Sequence, residues 1–186
     1  MSDRKTVLLV MDFQPGIVAR LADEAVLDAA TRAVDAARGA GVPVFFVRVA
    51  FRPGFPEAGE RNAAFRAVAQ AGDAMTQDHP ATQVHDAFKP RPDEPVVVKR
   101  RVSAFSGSDL EVLLRAAEAD SLVLAGISTS GVVLSTLRQA ADLDYRLTVL
   151  ADACGDLDPD VHRVLTEKVF PRQAVVTTTD EWAQTL

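Results

Sequence analysis

The chain has 186 residues, 48% of them apolar and 25% charged, with a formal net charge of -6. That length suits one domain, residues 1–186, with a sizeable core, and a net negative surface disfavours nucleic acid, whose phosphates it repels. No apolar run approaches the roughly 20 residues of a membrane span, and one cysteine, Cys154, excludes an internal disulfide and a cysteine metal cage.

The first residues, Met-Ser-Asp-Arg-Lys, lead directly into a strand without a signal-peptide pattern, so the expected location is the cytoplasm. Thr6 to Met11 is a β-rich apolar run ending at Asp12, which predicts a central strand. Asp12-Phe13-Gln14-Pro15-Gly16 then reads as a turn, because Pro and Gly punctuate it. From about Asp23 to Arg38, alanines with Val26, Leu27 and Val34 recur at helical spacing, and Gly39 to Gly41 ends the helix. Val42 to Val49 is a second buried strand, giving a strand–helix–strand unit with a right-handed crossover.

Ala50 to Pro95 is a long excursion rich in Pro, Gly and charge, with one helix near Arg61 to Ala71. Excursions of this length in a compact domain are usually functional loops. Phe51, Phe55 and Phe65 either line a pocket there or pin the loop to the core. Val96 to Val98 is a short strand closed by Lys99, and Gly107 to Ala117 a helix in which Ser108 and Glu111 have capping-box spacing.

Next comes the stretch of greatest interest, Ser121 to Thr136. An apolar strand, Leu122 to Ala125, breaks at Gly126, passes Ser128, Thr129 and Ser130, and resumes as a helix. A strand, tight turn and helix N-terminus is where an open parallel sheet presents a ligand site. Arg146 to Leu150 is another strand, followed by a helix from about Pro159 to Val169 and the strand Ala174 to Thr177. A short C-terminal helix begins near Thr179, and its Trp182 packs on the body or on a second subunit. Strand and helix alternate throughout. The predicted class is α/β: a three-layer α/β/α sandwich around a doubly wound, mostly parallel sheet of about six strands.

Three polar features stand at predicted strand ends: Asp12, Lys99 and the Ser128 to Ser130 turn. In a parallel sheet the carboxyl ends of all strands share one edge, so these groups are candidates to converge. A carboxylate beside an ammonium in a cleft is a proton-transfer pair. Taken singly, the plainer readings are an aspartate that stabilises its own turn and a solvated lysine. No Gly-x-Gly-x-x-Gly follows the first strand, and no phosphate loop is present. His79, His85 and His162 lack metal-ligand spacing, and Cys154 has no evident base beside it.

Four segments in order give the chain a likeness to a known family: Val10-Met-Asp12-Phe-Gln14, Lys99-Arg-Arg-Val-Ser-Ala-Phe105, Gly126-Ile-Ser-Thr-Ser-Gly-Val-Val133 and Leu150-Ala-Asp152-Ala-Cys154. Over nearly its whole length the chain resembles the isochorismatase-like (cysteine hydrolase) superfamily. The resemblance implies a doubly wound α/β sandwich, usually a homodimer or homotetramer, and an aspartate–lysine–cysteine triad. The first two members fall on Asp12 and Lys99. Counting from Gly126 through Thr129 puts the nucleophile position on Val132, which attacks nothing, and Cys154 lies a whole helix and strand downstream.

The thioester mechanism is therefore closed to this chain. Isochorismatases proper also lack the cysteine. The resemblance implies for them a vinyl-ether cleavage in which the aspartate protonates carbon. Their Tyr-Ala-His is Ser128-Thr129-Ser130 here, and Val132 narrows the pocket where they carry glycine. The Asp-x-His metal cluster of the nicotinamidase branch is absent from Val49-Ala-Phe-Arg-Pro-Gly-Phe55, so no metal or other cofactor is expected. Family structures further imply a cis peptide at Ile127–Ser128, with the N–H groups of Ser128 and Val132 forming a cradle for a substrate oxygen. Thr129 belongs to the same turn.

Gln14, Phe51, Arg52 and Phe105 are the expected substrate contacts. The expected ligand is a small, planar, carboxylated molecule, given Lys99 with Arg48, Arg52, Arg100 and Arg101 nearby. Three functions stay open: a hydrolase using Asp12 and Lys99, a non-catalytic relative binding a small acid, and covalent hydrolysis through Ser128 or Ser130.

Overall fold

The computed structural model describes residues 5–70 and 72–186. In chain order its elements are β1 (Thr6–Met11), α1 (Pro15–Leu21), α2 (Glu24–Ala40), β2 (Val44–Val49), α3 (Ala63–Gln70), β3 (Val96–Lys99), α4 (Leu110–Ala116), β4 (Ser121–Ile127), α5 (Leu134–Asp142), β5 (Arg146–Gly155), α6 (Pro159–Val164), β6 (Val175–Thr177) and α7 (Thr179–Ala183). A π-helical turn, Thr129–Val133, joins β4 to α5, and a second, Leu165–Val169, prolongs α6.

The six strands form one sheet in the order β3-β2-β1-β4-β5-β6, all parallel. The winding reverses between β1 and β4, and the crevice beyond the carboxyl ends at such a reversal is where open α/β sheets bind ligands. Side chains alternate across the sheet, so Val7, Leu9 and Met11 enter one core with Leu110, Leu114, Leu137 and Phe170. Leu8 and Val10 enter the other with Val26, Ala30, Val34 and Phe88. Burial on both faces is why these strands read as unbroken apolar runs. Trp182 is 6% exposed and belongs to the second core, so the C-terminal helix packs on the body. Among the described residues no helix is long and apolar enough to cross a membrane.

Several expected boundaries shift. Pro15 does not mark a turn but occupies the first position of α1, where its fixed φ and missing N–H cost nothing. The helix expected near Arg61 to Ala71 runs Ala63–Gln70, with Ala71 outside the described residues. The expected Ser108–Glu111 capping box does not form. Ser108 Oγ donates to Ala104 O at 2.6 Å, Asp109 is the N-cap residue of α4, and the helix starts at Leu110. The strand expected to end at Leu150 continues as β5 to Gly155.

Candidate active site

Asp12 follows β1 directly, with its backbone in the left-handed region at φ 59°. Aspartate tolerates that region better than most residues. Its N–H donates to Val47 O at 2.8 Å, which ties the turn to β2. Lys99 ends β3, two strands away, in register with Val49. A gap of two strand spacings is about 9.5 Å, and a lysine side chain can close it from one side. Lys99 Nζ lies 2.9 Å from Asp12 Oδ2 and donates to Arg101 O at 3.0 Å.

Both partners are almost fully covered, Lys99 at 2% and Asp12 at 5% exposure. Burial pushes the Asp12 carboxyl above its ordinary range and outweighs the opposing charge and hydrogen bond of Lys99. Among the buried side-chain polar atoms of the described residues, Asp12 Oδ1 alone has no hydrogen-bond partner. A buried carboxyl oxygen left open at a sheet edge is expensive unless something arrives to meet it.

The pair forms the polar floor of a cavity of about 290 Å³. Its walls are mainly apolar: Ile17 and Leu21 from α1, Val49, Phe51 and Phe65 from β2 and the excursion, and Leu157 after β5. Ser128, Gly131 and Val132 close it on the β4 side. The Ile127–Ser128 peptide is cis. Ser128 Oγ accepts from Gly131 N–H at 3.1 Å, and a Cβ at position 131 would sit 2.6 Å from that oxygen, so glycine leaves the hydroxyl room to cap the turn. Gly126 has the same role toward β1, since an added Cβ would stand 3.0 Å from Met11 O.

Of the residues expected at the site, Asp12, Lys99, Phe51, Ser128 and Val132 line one cavity. Four others do not reach it. Gln14 is 1% exposed and works as a strut. It donates to Val49 O and Thr82 O, each at 2.9 Å, and accepts from Val49 N–H at 2.8 Å. Arg52 turns outward to Glu57, 2.6 Å away, with its side chain 62% exposed. Phe105 is buried in the first core and stacks obliquely on Tyr145. Thr129 is fully buried behind the turn, with its hydroxyl 2.8 Å from His162 Nδ1. His162 is thus a half-buried structural partner of the turn.

The aromatic excursion divides its labour. Phe51, Phe55 and Phe65 form one small cluster, from which Phe51 and Phe65 also face the cavity. Ser130 is exposed and does not line the cavity, and its N–H bonds Asp156 Oδ2 at 2.7 Å. Cys154 is buried in β5, and burial pushes its thiol up to about 12. It too lies away from the cavity. Among the described residues no group of three or more His, Cys, Asp or Glu side chains is placed to hold a metal ion.

Sequence reasoning missed Arg20, Ile17 and Leu21, because it assigns a turn to Asp12–Gly16 and no helix to the residues after it. It also left open which arginine faces inward, and the structure places Arg101 and Arg20 on the cavity wall. The signal for α1 was present in Pro15 at a helix start. Nothing local marks Arg101.

Residues 6–181 match the model of the Isochorismatase domain. An uncharacterized isochorismatase family protein, YecD, of Escherichia coli O157:H7 is 33% identical over 183 residues, covering 96% of this chain and 94% of that one. The ureidoacrylate amidohydrolase RutB of Pseudomonas savastanoi pv. phaseolicola is 34% identical over 140 residues, covering 69% of this chain and 57% of its own. Among solved structures, an isochorismatase family protein from Burkholderia thailandensis superposes with a TM-score of 0.84 at 26% identity, covering 98% of this chain and 96% of that one.

Proposed function

The chain belongs to the isochorismatase family, which includes hydrolases, and from that premise we propose that it hydrolyses a small carboxylated molecule with no cysteine nucleophile. Asp12 is the general acid and base, and Lys99 its electrostatic partner. The observation that carries this reading is the buried 2.9 Å contact between the two groups, with Asp12 Oδ1 left unpartnered.

The chemistry that such a pair suits is proton transfer to carbon. A carboxyl whose pKa is raised by burial keeps its proton at higher pH and delivers it in an apolar setting. With a vinyl ether, Asp12 protonates the terminal alkene carbon, and the ether carbon becomes an oxocarbenium ion. The new Asp12 carboxylate is held by the Lys99 ammonium. Water adds to the cation and returns a proton to Asp12, and the hemiketal separates into an alcohol and a carbonyl compound. Atoms balance: one water is consumed and the carboxyl is restored. The backbone N–H groups of Ser128 and Val132 are the proposed cradle for an oxygen of the substrate, those of Ser130 and Gly131 being already bonded within the protein.

Val132 supports this reading, because a side chain on the cavity wall at the expected nucleophile position offers no attacking atom. Amide cleavage, the activity named for RutB, would need another nucleophile. Ser128 is the one hydroxyl of the turn on the cavity wall, and its oxygen already caps Gly131 N–H. The test is a panel of small carboxylated vinyl ethers, amides and esters, with mass spectrometry of the protein during turnover. Turnover of a vinyl ether with an unmodified protein mass is expected. Turnover of amides or esters with an acyl adduct on Ser128 would replace this reading.

A further inference from the structure

We infer that Arg101 is the specificity-determining anchor for the substrate's carboxylate, held ready by two carbonyls and an aromatic ring. This deepens the reading of the Asp12 cavity as a substrate site and rests on it.

Five arginines stand near the carboxyl edge of β2 and β3, and their partners separate them. Arg52 and Arg100 are both committed to Glu57, at 2.6 Å and 3.4 Å. Arg48 bonds the carbonyls of Gln77 and Thr82 and does not face the cavity. Arg20 faces the cavity from the last turn of α1 but is exposed, where water screens its charge. Arg101 is the half-buried one on the wall.

The contacts of Arg101 are all neutral. Nη1 donates to Arg100 O at 2.6 Å, Nη2 donates to Glu57 O at 3.0 Å, and the guanidinium carbon sits 5.2 Å from the centre of the Phe65 ring. Among the described residues it makes no ion pair. A guanidinium has five N–H donors, so these bonds fix its plane and leave donors over. Phe65 itself lines the cavity, so the stacked guanidinium and the ring form one continuous wall.

Charge balance points the same way. Lys99 Nζ is enclosed between Asp12 Oδ2 and Arg101 O, whereas the half-buried Arg101 guanidinium stands at an otherwise apolar wall with no ion partner among the described residues. A bound carboxylate supplies that partner, in a setting where a charge-assisted, two-pronged hydrogen bond is worth most. Lys99 Nζ also bonds the Arg101 carbonyl, so the anchor and the proton pair are fastened to the same stretch of backbone. The carbonyl of Glu57 and the ring of Phe65 both belong to the long excursion. That excursion therefore shapes the specificity end of the site while the sheet edge supplies the chemistry.

Binding of benzoate and of its neutral analogue benzamide, measured by saturation-transfer NMR titration on the intact protein, tests this. Wild type should prefer benzoate by about tenfold or more, the scale of a charge-assisted pair. Arg101→Gln should erase that preference while leaving benzamide binding intact, and Arg20→Gln should leave it unchanged. Should Arg101→Gln lose benzamide as well, Arg101→Lys decides. A severalfold drop in benzoate affinity with benzamide held supports the anchor, and unchanged benzoate affinity overturns it. Equal binding of the two probes by wild type, or a preference that survives Arg101→Gln, also overturns it. Because binding is read without turnover, Asp12→Asn should keep the preference, so failure of the anchor and failure of the proton chemistry give different results.

Discussion

Replacing Asp12 by Asn should change how stability responds to pH, and the sign of that change distinguishes a proton-carrying acid from an ordinary salt-bridge carboxylate. Asp12 is 5% exposed, and burial raises its pKa above the ordinary 3.8 despite Lys99. The folded state then binds the proton more tightly than the unfolded chain. Stability from this group is fully present below the unfolded value and is lost as pH rises through the folded one. The slope is at most about 1.4 kcal/mol per pH unit within that window, and zero above it. Urea unfolding of wild type and Asp12→Asn at half-unit steps from about pH 4 to about pH 8 gives the difference directly. Subtraction removes the carboxylates with lowered pKa, such as Glu94 and Asp156, whose contributions run the other way. The wild-type advantage should fall with rising pH and then level off. In a Lys99→Met background the fall should extend to higher pH, because the opposing charge is gone. An advantage that instead grows with pH would mean that Asp12 is a plain ionised partner of Lys99, and the general-acid reading would lose its physical basis.

Three further outcomes follow from single contacts. Gln14→Leu removes the donors to Val49 O and Thr82 O and the acceptor for Val49 N–H in a fully buried place, and should cost about 3 kcal/mol in urea unfolding. A loss below ~1 kcal/mol would show that the strut is dispensable. Gly126→Ala forces a Cβ to within 3.0 Å of Met11 O and 3.1 Å of Val133 Cγ2, and should destabilise by about 1–3 kcal/mol by the same assay. Iodoacetamide should leave native Cys154 unlabelled, since its thiol is pushed up to about 12 and lies away from the Asp12 cavity, whereas Val132→Cys, equally buried at 2% exposure but on the cavity wall, should be labelled through the cavity. Rapid native labelling of Cys154, or an inert Cys at 132, would contradict the assignment of one to the core and the other to the cavity.

The sheet was legible because burial on both faces turns β1, β2 and β4 into unbroken apolar runs. The meeting of Asp12 and Lys99 was legible for a topological reason: parallel strands deliver their carboxyl ends to one edge. The misreadings have physical causes too. Pro15 carries the same signal at a turn and at a helix start, and only the residues beyond it decide. Gln14 stands two residues past Asp12 but is drawn inward by the carbonyls of Val49 and Thr82, and Phe105, in the turns after Lys99, is drawn into the first core. Thr129 was drawn behind its turn by His162, 33 residues on. Arg101 was beyond reach of local reasoning, since its guanidinium is placed by Glu57, 44 residues earlier, and by the Phe65 ring.

The most direct measurement of the central claim is the hydrolysis rate of a carboxylated vinyl ether by wild type and by Asp12→Asn, with folding of the variant verified by urea unfolding. A positioned acid contributes on the order of 10²–10⁴ in rate, so the variant should lose about that factor while still binding benzoate. Equal rates for the two proteins would contradict the claim that Asp12 carries the proton.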